Sequence, residues 1–159
     1  MAGIAQGLIG SIKTASASAG NLVLNSSFTS SVSGWQRNIS RNTSIYKSAP
    51  ASLRVDGDAD FETIETLYSR TGCLTIGQAY SLSVWVKASD YNNDISVFLY
   101  AGTAAKSTSM VVTTSASWVQ FKVENLVCTG NTNLLIDILA VDDAFYIDDV
   151  VAVAGSTAP

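Results

Sequence analysis

From Asn21 onward the chain alternates apolar and polar residues over short runs. Tyr80, Leu82, Val84 and Val86 share one parity against Ser81, Ser83, Trp85 and Lys87, and Ile95, Val97 and Leu99 stand against Ser96, Phe98 and Tyr100. A period of two sends one set to a core face and the other to an outer face, as in half-buried antiparallel strands. Further strands are predicted at 21–25, 44–46, 52–55, 61–68, 109–114, 118–123, 134–140 and 145–153. Turn residues separate them: Asp56-Gly57, Asn92-Asn93-Asp94, Ala101-Gly102-Thr103 and Thr129-Gly130-Asn131. No segment in this region has the length and period of a helix, and no internal repeat is evident. The prediction is an all-β, two-sheet antiparallel sandwich of about eight to ten strands. Its core candidates are Leu82, Val84, Val86, Val97, Leu99, Phe121, Ile136, Ile138 and Ile147.

Residues 1–20 follow a different pattern. Gly, Ala and Ser dominate, Lys13 is the lone charge, and Ile4, Leu8, Ile9 and Ile12 fall at spacings that can share one helical face. So short a helix is marginal in isolation. The segment therefore reads as an N-terminal arm that packs its aliphatic stripe on its own sandwich or, the reading preferred here, on a partner chain. Residues 155–159 form a short polar tail.

Composition narrows the function classes. A chain of 159 residues is one domain's worth and can bury a sizeable core without staples. The net charge is −4 and the nine Lys and Arg residues are scattered, so no basic stripe is available to neutralise phosphates and nucleic-acid binding is disfavoured. Histidine is absent, which removes the commonest general base and zinc ligand. Cys73 and Cys128 stand alone and read as small buried hydrophobes, with a bridge between them as the alternative. The first ten residues lack a positive region before an apolar run, and no stretch is long and apolar enough to span a bilayer as a helix. The expectation is a soluble protein made in the cytoplasm, with no membrane partner.

One acidic pair is set in an apolar run: Asp148-Asp149 within Phe145-Tyr146-Ile147-Asp148-Asp149-Val150-Val151-Ala152-Val153. A carboxylate carried into a core by such a strand must be hydrogen-bonded, paired or metal-bound. This closing strand goes with an opening Asn21-Leu22-Val23-Leu24-Asn25, then Phe28 and Gly34-Trp35, and with Ser52-Leu53-Arg54-Val55, Tyr80–Lys87 and Trp118-Val119-Gln120-Phe121. In that order the segments resemble the jelly-roll carbohydrate-binding modules that accompany xylanases and cellulases, over roughly residues 21–154. The resemblance implies a non-catalytic jelly roll. It also implies a structural calcium held by Asp148 or Asp149 with groups from the first strand, although Thr29 stands where the family usually has a glutamate ligand. No other cofactor is expected. A hydrogen-bonded carboxylate tying the last strand to the first is the alternative.

Enzymatic chemistry finds little support. Glu62 and Glu65 have opposite parity and would face opposite sides of a strand, a poor glycosidase pair. No nucleophile elbow or phosphate loop occurs, and serine or cysteine nucleophiles would lack a histidine base. Asp56, Asp58 and Asp60 begin like an EF-hand loop, but Phe61 and Leu67 occupy positions that need glycine and an acid. Sugar binding in the modules that the chain resembles rests on exposed aromatic faces. The candidates are Trp85, Tyr91 in its polar turn, and Tyr100, with Trp35 and Trp118 placed where such modules use aromatics as packing.

A single sandwich with an apolar arm resembles, in arrangement, small virion proteins of tailed bacteriophages. The expectation is a non-catalytic virion structural protein, a head decoration or cement protein made in the host cytoplasm and displayed on the virion surface. Its partners would be the major capsid protein or tail proteins and further copies of itself, docked through Ile4, Leu8, Ile9 and Ile12. The alternative is a free-standing carbohydrate-binding module for a polysaccharide or cell-surface glycan.

Overall fold

The computed structural model describes residues 20–56, 65–115, 117–140 and 144–159. Among these, nine strands form: β1 (Ile39–Asn42), β2 (Ser52–Val55), β3 (Glu65–Arg70), β4 (Ala79–Ala88), β5 (Asn93–Ala101), β6 (Ala104–Val112), β7 (Val119–Val127), β8 (Leu134–Ala140) and β9 (Phe145–Ala154). They make a five-stranded sheet in the order β1-β2-β9-β4-β7 and a four-stranded sheet in the order β3-β8-β5-β6. Every pairing is antiparallel. The described residues contain no helix long and apolar enough to cross a membrane.

The sandwich is closed by the inward parity of both sheets. All nine core candidates are at or below 2 % exposure. Leu82, Val84 and Val86 of β4 and Phe121 of β7 lie in one sheet, and Ile95, Val97 and Leu99 of β5 with Ile136 and Ile138 of β8 lie in the other. A half-buried strand alternates because each neighbouring side chain points to the opposite face. Strand β5 follows that rule throughout, every second residue from Asn93 to Ala101 being buried.

Two expected strands do not form. Residues 21–25 form no strand: beside one backbone bond, from the Leu22 N–H to the Ala152 carbonyl, the Asn21 side chain makes the pairing, its Oδ1 accepting the N–H groups of Val23 and Ala152, and its Nδ2 donating to the Val150 carbonyl. Residues 44–46 belong to the loop between β1 and β2, and the strand of this region lies earlier, at Ile39–Asn42. The run predicted at 61–68 appears as β3, with 61–64 outside the described residues. Ile4, Leu8, Ile9 and Ile12 of the arm also lie outside the described residues, as do Asp58, Asp60 and Glu62.

The outer parity of β4 is less exposed than its polar residues suggest. Ser81 and Ser83 are buried, the first donating to the Gly155 carbonyl and the second accepting from Gln120. The polar tail returns along β7, where the Ala158 N–H donates to Glu124 and the Lys122 ammonium to the Ala158 carbonyl. Phe28, Trp35 and Tyr68 form a buried aromatic cluster, their rings 5.2 and 5.1 Å apart in sequence order. The β5–β6 hairpin docks against residues 129–133 through Gly102, whose φ is +68°. A Cβ at Gly102 would lie 1.9 Å from the Thr129 carbonyl oxygen, so only glycine permits this approach.

Candidate functional site

The outer face of the four-stranded sheet carries a strip of side chains along β5: Asp94, Ser96, Phe98 and Tyr100. Their cross-strand partners on β6 are Val111, Ser109, Ser107 and Ala105, and on β8 Ser96, Phe98 and Tyr100 meet Leu139, Asp137 and Leu135. Small residues on β6 leave the two rings uncrowded from that side. Phe98 and Tyr100, two residues apart on one strand, stack with centroids 6.4 Å apart and planes inclined by 22°. Beside them the Asp137 carboxylate, nearly buried, takes the Tyr100 hydroxyl. Burial first, then the charge of Asp137 and this hydrogen bond, raises the Tyr100 pKa, so the phenol stays protonated as a donor.

A shallow pocket of 290 Å³ opens farther along the strip, lined by Asp94, Ile95, Ser96, Ser109, Met110 and Val111. Ser96 and Ser109 join across it, Oγ to Oγ, at 2.6 Å. A ring pair and hydroxyls on one rigid surface, with the Tyr100 phenol fixed by the nearly buried Asp137, suit a ligand that presents apolar faces rimmed by hydroxyl groups.

The three rings singled out in the sequence are not brought together. Tyr100 is on this strip, whereas Trp85 is on the outer face of the other sheet and Tyr91 is 66 % exposed in the β4–β5 loop. Trp85 has the outward parity expected of it, but it is half-buried and the Lys47 ammonium lies 4.5 Å from its ring centroid. Trp35 is buried in the aromatic cluster. Phe98 and Asp137 were missed by the sequence reading. The signal for Asp137 was present, since it is the one acid in the apolar run Leu134–Ala140.

The acidic pair occupies a separate place. In β9 Asp148 sits opposite Trp85, and Asp149 and Val150 then bulge against Val84 alone, with Asp149 at φ +48°. Asp148 is fully buried beneath the loop between β1 and β2. Its Oδ2 accepts the N–H groups of Lys47 and Ser48 at 2.8 and 2.9 Å, and its Oδ1 accepts the Asp149 N–H at 2.8 Å. Ser48 Oγ donates to Asp149 Oδ2 at 2.6 Å. Burial, aided by the charge of Asp149, pushes the Asp148 pKa up to about 6 against the opposing pull of the three N–H groups. The carboxylate thus ties the last strand to the β1–β2 loop, while the opening segment is tied by Asn21 and the Leu22 N–H instead.

Calcium takes six to eight oxygen ligands. The groups turned toward Asp148 are N–H donors, which a cation repels, and no group of three or more acidic or cysteine side chains gathers among the described residues. As placed, Asp148 does not fit a metal ligand. Cys73 and Cys128 are free thiols, half-buried and buried, with burial raising both pKa values.

No protein-family model matches the chain, and no curated protein matches it significantly. Solved structures do. The C-terminal family 22 carbohydrate-binding module of xylanase 10B from Clostridium thermocellum aligns with a TM-score of 0.65 at 16% identity, over 88% of this chain and 96% of that one. A family 61 module, solved with β-1,4-galactotriose, aligns with a TM-score of 0.61 at 16% identity, over 85% and 99%. The enzymatically active domain of bacteriophage CBA120 tailspike protein 4 aligns with a TM-score of 0.63 at 12% identity, over 85% of this chain but 21% of that one. Two antiparallel sheets in this order, matched over nearly the whole length of isolated modules, give the chain the jelly-roll fold of carbohydrate-binding modules.

Proposed function

We propose that the protein is a non-catalytic carbohydrate-binding module that holds a polysaccharide or cell-surface glycan on the outer face of its four-stranded sheet. The observation that carries this reading is the stacked Phe98–Tyr100 pair beside the Asp137 carboxylate. Sugar rings stack on aromatic faces, and the Tyr100 phenol, fixed by Asp137, with the nearby serines can exchange hydrogen bonds with their hydroxyls. The fold likeness to a module solved with a β-1,4-linked galactotriose supports the substrate class. The neighbouring modules are mostly non-catalytic, in line with the expectation of no enzyme activity.

Affinity electrophoresis and calorimetry against a panel of xylans, galactans and glucans test it. Tyr100→Ala should weaken binding at least about tenfold, a loss of about 1.4 kcal/mol, but it also strips the nearly buried Asp137 of a donor. Phe98→Ala, which removes a half-buried outer ring with no polar partner, is therefore the variant expected to weaken binding with the melting temperature held within a few degrees. A native chain that binds none of the panel, or binding that survives loss of both Phe98 and Tyr100 but not of Trp85, would sink the assignment.

The virion reading draws only on the tailspike likeness, a fold likeness over a fifth of that protein. Docking of Ile4, Leu8, Ile9 and Ile12 on a capsid or tail protein is testable by deleting residues 2–19 and assaying incorporation into particles.

For Asp148 and Asp149 we propose a hydrogen-bonding anchor, with structural calcium as the competing reading. Melting with and without a chelator should give the same midpoint. A chelator-induced fall restored by added calcium would establish the metal.

A further inference from the structure

We propose that β6 is a pairing edge through which two copies of this chain join antiparallel, making one continuous eight-stranded sheet. The other three sheet edges are blunted. Beyond β3, residues 35–36 bond to its backbone, the Gln36 N–H donating to the Leu67 carbonyl and Trp35 bridging Tyr68. Strand β1 is only four residues long. On β7 a positive φ at Asn125 breaks the regular edge, and the Lys106 ammonium occupies the Glu124 carbonyl at 2.6 Å.

Among the described residues strand β6 has no such device. Its nine residues pair with β5 without a register shift. Ala101 and Ala104 close a two-residue hairpin and so exchange hydrogen bonds, which leaves the backbone groups of Ala105, Ser107, Ser109 and Val111 pointing away from β5. Among the described residues none of these outward groups has a partner. The strand holds one charge and no proline, Val111 is 62 % exposed and Met110 36 % exposed. Natural proteins rarely leave so long and regular an edge bare.

A second copy is the occupant that the strand's own sequence fits. About a two-fold axis at Thr108, Ser107 meets Ser109, Ala105 meets Val111, Lys106 meets Met110 and Ala104 meets Val112. Small polar residues then face their own kind, the alanines face valines, Met110 meets the aliphatic stem of Lys106, and the two lysines never stand opposite each other. The outward groups of residues 105, 107, 109 and 111 are those that such an axis brings into register, for about eight hydrogen bonds in all. The docking of Gly102 on residues 129–133 holds the hairpin in place before it pairs, which lowers the ordering cost. If the glycan reading also holds, the two β5 strips would lie on one face about 14 Å apart, three strand spacings, and could engage one polysaccharide bivalently.

Sedimentation of the full chain over a range of concentrations tests the proposal. The native chain should show a monomer–dimer equilibrium. Ala105→Lys with Val111→Lys sets like charges opposite each other twice and should weaken the dimer about tenfold, whereas Ala105→Lys with Val111→Glu sets opposite charges there and should restore it. Melting confirms that both variants fold. A native chain that stays monomeric at every concentration, or a dimer indifferent to both variants, overturns the proposal. A dimer that binds no polysaccharide upholds it and removes the glycan reading, and a monomer that binds polysaccharide does the reverse.

Discussion

Val84→Asp should leave the protein unfolded at room temperature. Val84 is fully buried between the sheets, in register with Phe121 of β7 and facing the apolar inner sides of β5 and β8. An aspartate there removes the valine's apolar burial, about 1.5 to 3 kcal/mol. It also places a carboxylate where the surrounding side chains offer no hydrogen-bond donor, a cost of several kcal/mol even after the group takes up a proton. Domains of this size are stable by about 5 to 15 kcal/mol in total, so the sum removes most or all of it. Circular dichroism and denaturant titration are the measurements. A cooperative transition within a few degrees of the native one would show that the inner parity of β4 is misassigned.

Asp148→Ala should be the second most damaging change, and for the opposite reason, since it removes a charge. Three backbone N–H groups, those of Lys47, Ser48 and Asp149, lose their acceptor in a buried place. Unsatisfied buried donors cost about 1 to 3 kcal/mol apiece, and water entering beneath the loop offsets part of that, so a net loss of about 3 kcal/mol is expected. For a domain of this length that lowers the melting temperature by roughly 10 °C. Asp148→Asn should be milder, because its carbonyl oxygen can still accept from Lys47 and Ser48 while its amide meets the Asp149 N–H as a donor facing a donor.

The same carboxylate gives a pH dependence of definite sign. Its folded pKa, about 6, lies above the ordinary value of 3.8, so the folded state binds this proton more tightly than the unfolded chain does. The stability contributed by protonation is fully present below about pH 4 and is lost as pH rises through about 6. Unfolding free energies of the native protein and of Asp148→Asn, compared from pH 4 to 7, should therefore converge on Asn at the upper end, where the native chain bears the cost of a buried charge. A native advantage that grows with rising pH would mean that the three N–H groups outweigh burial.

Several features were legible in the chain because they depend on neighbours in sequence. A period of two is a property of successive residues, so β2, β4, β5, β8 and β9 and the whole list of core candidates follow from it. The costliness of Asp148 in its apolar run was likewise legible, because desolvating a carboxylate demands compensation wherever the strand runs. What compensated it was not, since Lys47 and Ser48 lie a hundred residues away and act through backbone N–H groups that any residue could supply. Residues 21–25 looked like a strand because Leu22, Val23 and Leu24 are apolar, yet one backbone bond, from the Leu22 N–H to the Ala152 carbonyl, and the Asn21 side chain bind β9 in place of a ladder.

The candidate site divides in the same way. Parity placed Trp85 and Tyr100 on outer faces, and both are there. Parity does not say to which sheet a strand belongs or what crosses over it, and the sheet order β1-β2-β9-β4-β7 against β3-β8-β5-β6 puts the two rings on opposite sides of the molecule. The chain by itself determined a two-layer β core, its inward residues and the need to satisfy a buried acid, all set by local alternation and the cost of desolvation. Only the tertiary structure decided that Lys47 would cover Trp85, that Phe98 and Tyr100 would meet Asp137 on one face, and that, among the described residues, β6 would be the long regular strand at a sheet edge, because each depends on which distant strands hydrogen bonding makes neighbours.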